Sequence, residues 1–172
     1  MRFHQLIKII LIFSVLAGVF YVFYGQKRDN PSVSANIKEY LNKNNWKEYK
    51  TNEFSFRHSE KLKITGTLNE GNEVIIAEDD KFGFQIFIMP FDESRPITKE
   101  RIWQDMPDME INDSGEAMLD GAKTLVFYGY NEDIGETFEI WAVHKGKLYQ
   151  IMTGKNAEEL LIGILETWDW KN

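Results

Sequence analysis

AKTLVFYGY (122–130), TFEIWAV (137–143), KLYQIM (147–152) and NAEELLIGILETW (156–168) are the segments that decide the fold. In the first, Ala122, Val126, Tyr128 and Tyr130 alternate with Leu125 and Phe127. In the second, Phe138, Ile140 and Ala142 alternate with Trp141 and Val143. In the third, Leu148 and Met152 alternate with Tyr149 and Ile151. Period-two alternation in β-branched and aromatic residues predicts three strands. Apolar groups occupy both faces, so both faces are expected to be covered, because a sheet with one wet side shows a cleaner polar face. Lys145-Gly146 predicts a tight hairpin turn and residues 131–135 a longer loop.

The fourth segment changes period. Ala157, Leu160, Leu161, Ile164, Leu165 and Trp168 recur at helical spacing, with Glu158, Glu159, Glu166 and Thr167 opposite. Asn156 is the expected N-cap, answered by Glu159 as in a capping box, and two acids in the first turn suit the helix dipole. Such a helix must dock its apolar side on the sheet before it. At roughly 1.5–3 kcal/mol per fully buried large side chain, these positions carry a substantial share of a small domain's driving force.

Upstream, residues 46–50, 54–57, 62–68, 74–77 and 84–89 read as short strands, with a hairpin loop at 69–72 around Gly71. Residues 90–96 form a connection between two prolines. A second helix is expected from Lys99 to about Met106, capped by Thr98, stapled by Ile97 and Ile102, and stopped by Pro107. Asp120-Gly121 is a turn leading into the first decisive strand. The fold class is therefore α+β, an antiparallel sheet flanked by helices.

The chain has 172 residues and suits one domain with an appendage. It contains no cysteine, which excludes disulfides, zinc–thiolate sites and a cysteine nucleophile. Residues 1–30 hold Arg2, Lys8, Lys27 and Arg28 against Asp29 alone. Removing these from the 20 basic and 27 acidic residues leaves 16 and 26, a net charge of −10 on the remainder. An acidic body disfavours nucleic acid, whose binding depends on neutralising phosphates.

Residues 6–25 are nearly all apolar, broken only by Lys8, Ser14 and Gly18. About 20 helical residues span about 30 Å, the thickness of a bilayer's hydrocarbon core. Lys8 can snorkel at one end, and Tyr21 and Tyr24 suit the interface at the other. A cleaved signal peptide is the competing reading. Small residues are wanted at −3 and −1, but a cut after Gly25 puts Phe23 at −3 and a cut after Ala17 leaves a long apolar tail. The expected organisation is a membrane anchor at 1–25, a linker or short helix at 26–45 and a globular domain at 46–172. The short basic tail is expected to stay in the cytoplasm, with the C-terminal domain outside. Within the linker, Val33, Ile37, Tyr40 and Leu41 form a helical stripe, which Ser34 can cap if the helix begins late.

The segment Tyr49-Lys-Thr-Asn-Glu-Phe54-Ser55-Phe56 resembles the opening of PsbP-like domains, which show an aromatic, a short gap and Gly-Phe-Ser-Phe. Leu148-Tyr149-Gln150-Ile151, followed by a helix and Thr167-Trp168-Asp169-Trp170, resembles their close. Glu53 stands where that family has glycine, Ser59 near where it has proline, and Trp168 where it has phenylalanine. The resemblance covers residues 46–171 and implies an α/β/α sandwich around an antiparallel sheet. It also implies a role in binding other proteins, or in retaining metal ions as in the photosystem case.

No residue is assigned to catalysis, a cofactor or a metal. His4, His58 and His144 lack ligand spacing. Asp105, Asp108, Glu110 and Asp113 cluster, but a calcium loop begun at Asp108 has Asp113 where glycine is required and Leu119 where glutamate is. Glu78, Asp79 and Asp80 read as a turn. No hydrolase elbow or phosphate loop appears. Trp46, Trp103, Trp141, Trp168 and Trp170 mostly fit core-facing positions. The leading expectation is a membrane-anchored, non-enzymatic domain that binds a partner protein. The alternatives are a carboxylate-dependent hydrolase acting on envelope glycans and a metal-retaining accessory protein.

Overall fold

A computed structural model describes residues 37, 39–69 and 71–171. The apolar run at 6–25 lies outside them, and among the described residues no helix is long and apolar enough to cross a membrane. The described chain forms β1 (Trp46–Lys50), β2 (Phe54–Ser59), β3 (Lys63–Asn69), β4 (Asn72–Glu78), β5 (Gly83–Pro90), α1 (Lys99–Asp105), β6 (Asn112–Leu119), β7 (Ala122–Asn131), β8 (Gly135–His144), β9 (Lys147–Gly154), α2 (Glu158–Leu165) and β10 (Asp169–Trp170).

Seven strands make one antiparallel sheet in the order β3-β4-β5-β9-β8-β7-β6, and β1-β2-β10 make a smaller one. Two meanders, β3-β4-β5 and β6-β7-β8-β9, join where β5 pairs with β9 from Phe84↔Thr153 to Pro90↔Lys147. The hairpin turns have the chemistry that sharp reversals need. Lys145-Gly146 and Asp120-Gly121 both place two residues at positive φ, with glycine second.

The alternation read in the sequence sorts the sheet's two faces. On the first, Phe84, Ile86, Ile88, Phe138, Ile140, Ala142, Tyr149 and Ile151 join Leu160, Leu161, Ile164 and Leu165 of α2 in one buried cluster. The small sheet completes this cover with Phe54, Phe56 and Trp170, joined by Trp168 just before β10. Trp168 stacks against both phenylalanines, with ring centroids 4.4 Å from Phe54 and 5.6 Å from Phe56. Ile37 and Tyr40 lie in the same cluster, and the Trp46 indole donates to the Tyr40 carbonyl at 2.7 Å, so the core takes in residues upstream of β1. On the second face Phe87, Met89, Leu125, Phe127, Trp141 and Leu148 pack under Ile97 and Ile102, with Met106, Met109 and Ile111 at the border.

The sheet is therefore antiparallel with a helix on each side. The layer over its first face is a mixed one, α2 together with three short strands. The ends of α2 differ from expectation, since it begins after Ala157 and stops at Leu165, short of Trp168. Thr98 caps α1, accepting from the Arg101 amide at 3.3 Å. Asn156 does not cap α2. A 3-10 turn (Lys155–Ala157) leads the chain off β9, and Ala157 stands at the N-cap without a side-chain bond. Two strands are additional to those read in the sequence, β6 and β10.

Candidate functional site

Helix α1 and its flanks enclose a small cleft against the second face. Ile102 anchors the helix at 2 % exposure, and the same turn carries Arg101. Met89, Phe91, Ile97, Met106, Trp141 and Leu148 supply apolar walls, and Arg101, Asp105 and Gln150 supply the polar groups. The space admits about one water molecule. The Arg101 guanidinium is already engaged. It donates to Glu93 at 2.6 Å, to Asp105 and to Asp92 at 3.4 Å, and sits over the Phe91 ring at 5.1 Å. Burial opposes its charge, but the bonds to Glu93 and Asp105 outweigh burial and hold the guanidinium above its usual range. Three acids on one cation leave no net attraction for an anionic ligand. The Gln150 side-chain oxygen is buried without a hydrogen-bond donor, as is that of Gln85 on β5.

Glu139 lies further along the same face, inside the sheet's cover. Its two carboxyl oxygens accept from the Thr137 hydroxyl at 2.9 Å and the Trp141 indole at 2.8 Å. Burial pushes this carboxyl above its ordinary range, and the two donated bonds only partly oppose that. Gly129 on β7 faces Thr137, diagonal to Glu139. A Cβ there would meet the Glu139 carboxyl and the Thr137 hydroxyl at 2.9 Å each, so the absence of a side chain makes room for the acid.

A third polar cluster closes the end of the molecule where the chain finishes. The Trp170 amide donates to the Asp120 carboxylate at 2.7 Å, and its indole donates to the Leu119 carbonyl at 2.9 Å. The His144 ring stacks on Trp170 at 4.2 Å. Burial lowers the His144 pKa, aided by Lys145 and opposed by Asp120 and Glu53. Glu53 accepts from Tyr149 at 2.7 Å and from Lys147. Burial would raise the Glu53 carboxyl, yet these bonds and the lysine charge hold it below its ordinary range.

The residues weighed in the sequence do not converge. Asp105 grips Arg101. Asp79 organises a turn, accepting from the Lys81 amide at 2.7 Å, the Phe82 amide at 3.0 Å and the Tyr40 hydroxyl. The His58 ring, depressed in pKa by burial, bonds to the Ser59 carbonyl at 2.9 Å. His4 lies outside the described residues. Among the described residues no three His, Asp or Glu side chains gather as a metal site. Trp46, Trp141, Trp168 and Trp170 are buried, whereas Trp103 is 38 % exposed and donates to the Met109 carbonyl at 3.0 Å. Pattern reading passes over Glu139. Its signal is an acid at an inward position of a strand whose two faces are both apolar.

No family model and no curated protein matches this chain. The fold matches the solution structure of the cyanobacterial PsbP (CyanoP) from Synechocystis sp. PCC 6803, with a TM-score of 0.52 and 8 % identity. That alignment covers 74 % of this chain and 93 % of CyanoP. A crystal structure from Bacteroides thetaiotaomicron VPI-5482 matches with a TM-score of 0.50 and 12 % identity, over 74 % of this chain and 49 % of that one. This chain spans about half the length of the Bacteroides protein. At these identities the likeness is one of fold.

Proposed function

We propose that this chain is a membrane-tethered, PsbP-like domain that lies outside the cytoplasm and acts by binding another protein in an envelope assembly. The observation that carries the reading is how the body uses its reactive side chains. Glu139 is sealed between Thr137 and Trp141, Asp105 is bound to Arg101, Asp79 ties a turn to Tyr40, and His144 lies flat on Trp170. Glu139 is buried, and the other three, half-buried, already have partners that hold the fold together. The apolar run at 6–25, long enough to cross lipid, and the acidic remainder support tethering and argue against a nucleic-acid role. The likeness to CyanoP supports the finer assignment within α+β folds.

The test is crosslinking in intact cells that carry the tagged full chain, followed by mass spectrometry. One partner recovered reproducibly, and lost when the apolar run is deleted, is the expected result. Turnover of an envelope glycan by the purified chain, with no partner recovered, would overturn the proposal.

A further inference from the structure

The two sheets have four edges, and three of them are defended. Strand β1 carries exposed Lys47, Glu48 and Lys50 along its edge. Strand β6 carries Asp113 and Glu116, its register breaks between Asn112 and Gly115, and Asp113 takes a left-handed φ of 48°. Strand β10 has two residues. Charge, bulges and brevity are the usual protections against strand-to-strand association. Strand β3 has none of these after its first residue. Residues 64–69 read Ile-Thr-Gly-Thr-Leu-Asn, without charge or proline, and their register with β4 is unbroken from Lys63↔Glu78 to Asn69↔Asn72. Among the described residues β3 pairs with β4 alone. Leu68 on this edge is 76 % exposed, the highest value among the exposed large hydrophobic residues.

We propose that β3 is a seam through which two copies of this chain join, antiparallel about a two-fold axis at Gly66. The seven-stranded sheet of one copy then continues into that of the other. The strand is complementary to itself in this register. Ile64 falls opposite Leu68, Thr65 opposite Thr67 and Lys63 opposite Asn69, so apolar meets apolar, hydroxyl meets hydroxyl, and no like charges face each other. Ile64, Gly66 and Leu68 share the sheet's first face, because Ile64 pairs with Ala77 and Gly66 with Ile75. Leu68 is thus a core-side residue left bare by the lack of a next strand, and Ile64 of the second copy covers it. A shared edge used identically by both partners closes into a two-fold dimer and leaves no open-ended chain. A seven-residue strand is small beside the roughly 800 Å² per partner of a standard interface, so the dimer is weak when dilute and fills when copies are concentrated. The inference holds whether or not the chain also binds a different protein.

The chain has no cysteine, so one introduced thiol reports contact cleanly. At Gly66 a Cβ meets nothing nearer than the Tyr49 hydroxyl at 3.8 Å, so Gly66→Cys fits the monomer. On mild oxidation of membranes carrying the full chain, Gly66→Cys is expected to form a disulfide-linked dimer, and Ser114→Cys on the β6 edge is not. Adding Thr65→Lys and Thr67→Lys, both at exposed positions, sets lysine against lysine and is expected to cut the yield about fivefold or more, with recovery in high salt. Equal crosslinking by the Gly66→Cys and Ser114→Cys variants, or capture of a different protein by the Gly66→Cys variant, would overturn the proposal. So would a monomeric mass for the unmodified chain in detergent at every concentration measured by light scattering.

Discussion

Replacing Glu139 with glutamine isolates the cost of a sealed carboxyl. The amide has the same shape. Its oxygen can accept from the Trp141 indole, and its NH2 can donate to the Thr137 hydroxyl, which turns to accept. The variant thus keeps both bonds and discards the charge. Burial raises the Glu139 pKa in the native state above the ordinary carboxylate value of about 4.3. Native protein therefore holds a proton that unfolded chain releases. Its contribution is fully present below the unfolded pKa and is lost as pH rises through the folded one. Within that window the wild-type chain loses up to about 1.4 kcal/mol per pH unit relative to the variant. Urea melts of both full chains in non-ionic detergent, from pH 4 to 8, give this difference directly. The many other acids cancel because both proteins share them. The expected result is a wild-type disadvantage that grows with pH and then levels off. A difference that is flat, or a wild type that gains on the variant as pH rises, would refute the reasoning.

Gly129→Ala drives a methyl against two buried oxygens at 2.9 Å and is expected to cost about 1–3 kcal/mol, read as a lower Tm. Gly163→Ala meets the tip of half-buried Leu41 instead, at 2.5 Å, and is expected to cost clearly less because that side chain can turn away. Leu161, 1 % exposed, should cost about 2–5 kcal/mol as alanine and prevent folding as aspartate, by circular dichroism. Asp120→Gly tolerates the positive φ of 44° but removes the acceptor of the Trp170 amide, so hydrogen exchange at Trp170 should accelerate while the core strands stay protected.

The fold is legible where burial is two-sided. Strands β7, β8 and β9 show their faces in the sequence because large apolar side chains of both buried clusters recur along them. Strand β6 is hidden for the opposite reason. Its residues Asn112–Met118 are exposed, so nothing in Asn-Asp-Ser-Gly-Glu-Ala-Met needs to alternate, and the backbone ladder to β7 alone makes it a strand. At the C-terminus, Trp168 continues the helical stripe of α2, yet the helix stops at Leu165. The Thr167 hydroxyl donates to the Ile164 carbonyl at 2.7 Å and accepts from the Arg57 amide at 2.8 Å, turning the chain onto β2. Trp168 still reaches the core, from a turn. Of the polar clusters, the ties between Asp79 and Tyr40 and between Glu53 and Tyr149 bring together residues far apart in sequence, which no local spacing encodes.

Tethering with the body outside is the claim on which the functional account depends most. It is measured by adding protease to intact cells or spheroplasts that carry the full chain tagged at Asn172, and following the tag through alkaline extraction. The account predicts that the tag stays with the membrane after extraction and is destroyed by protease from outside. A tag released by alkali, or protected until the membrane is broken, would contradict it.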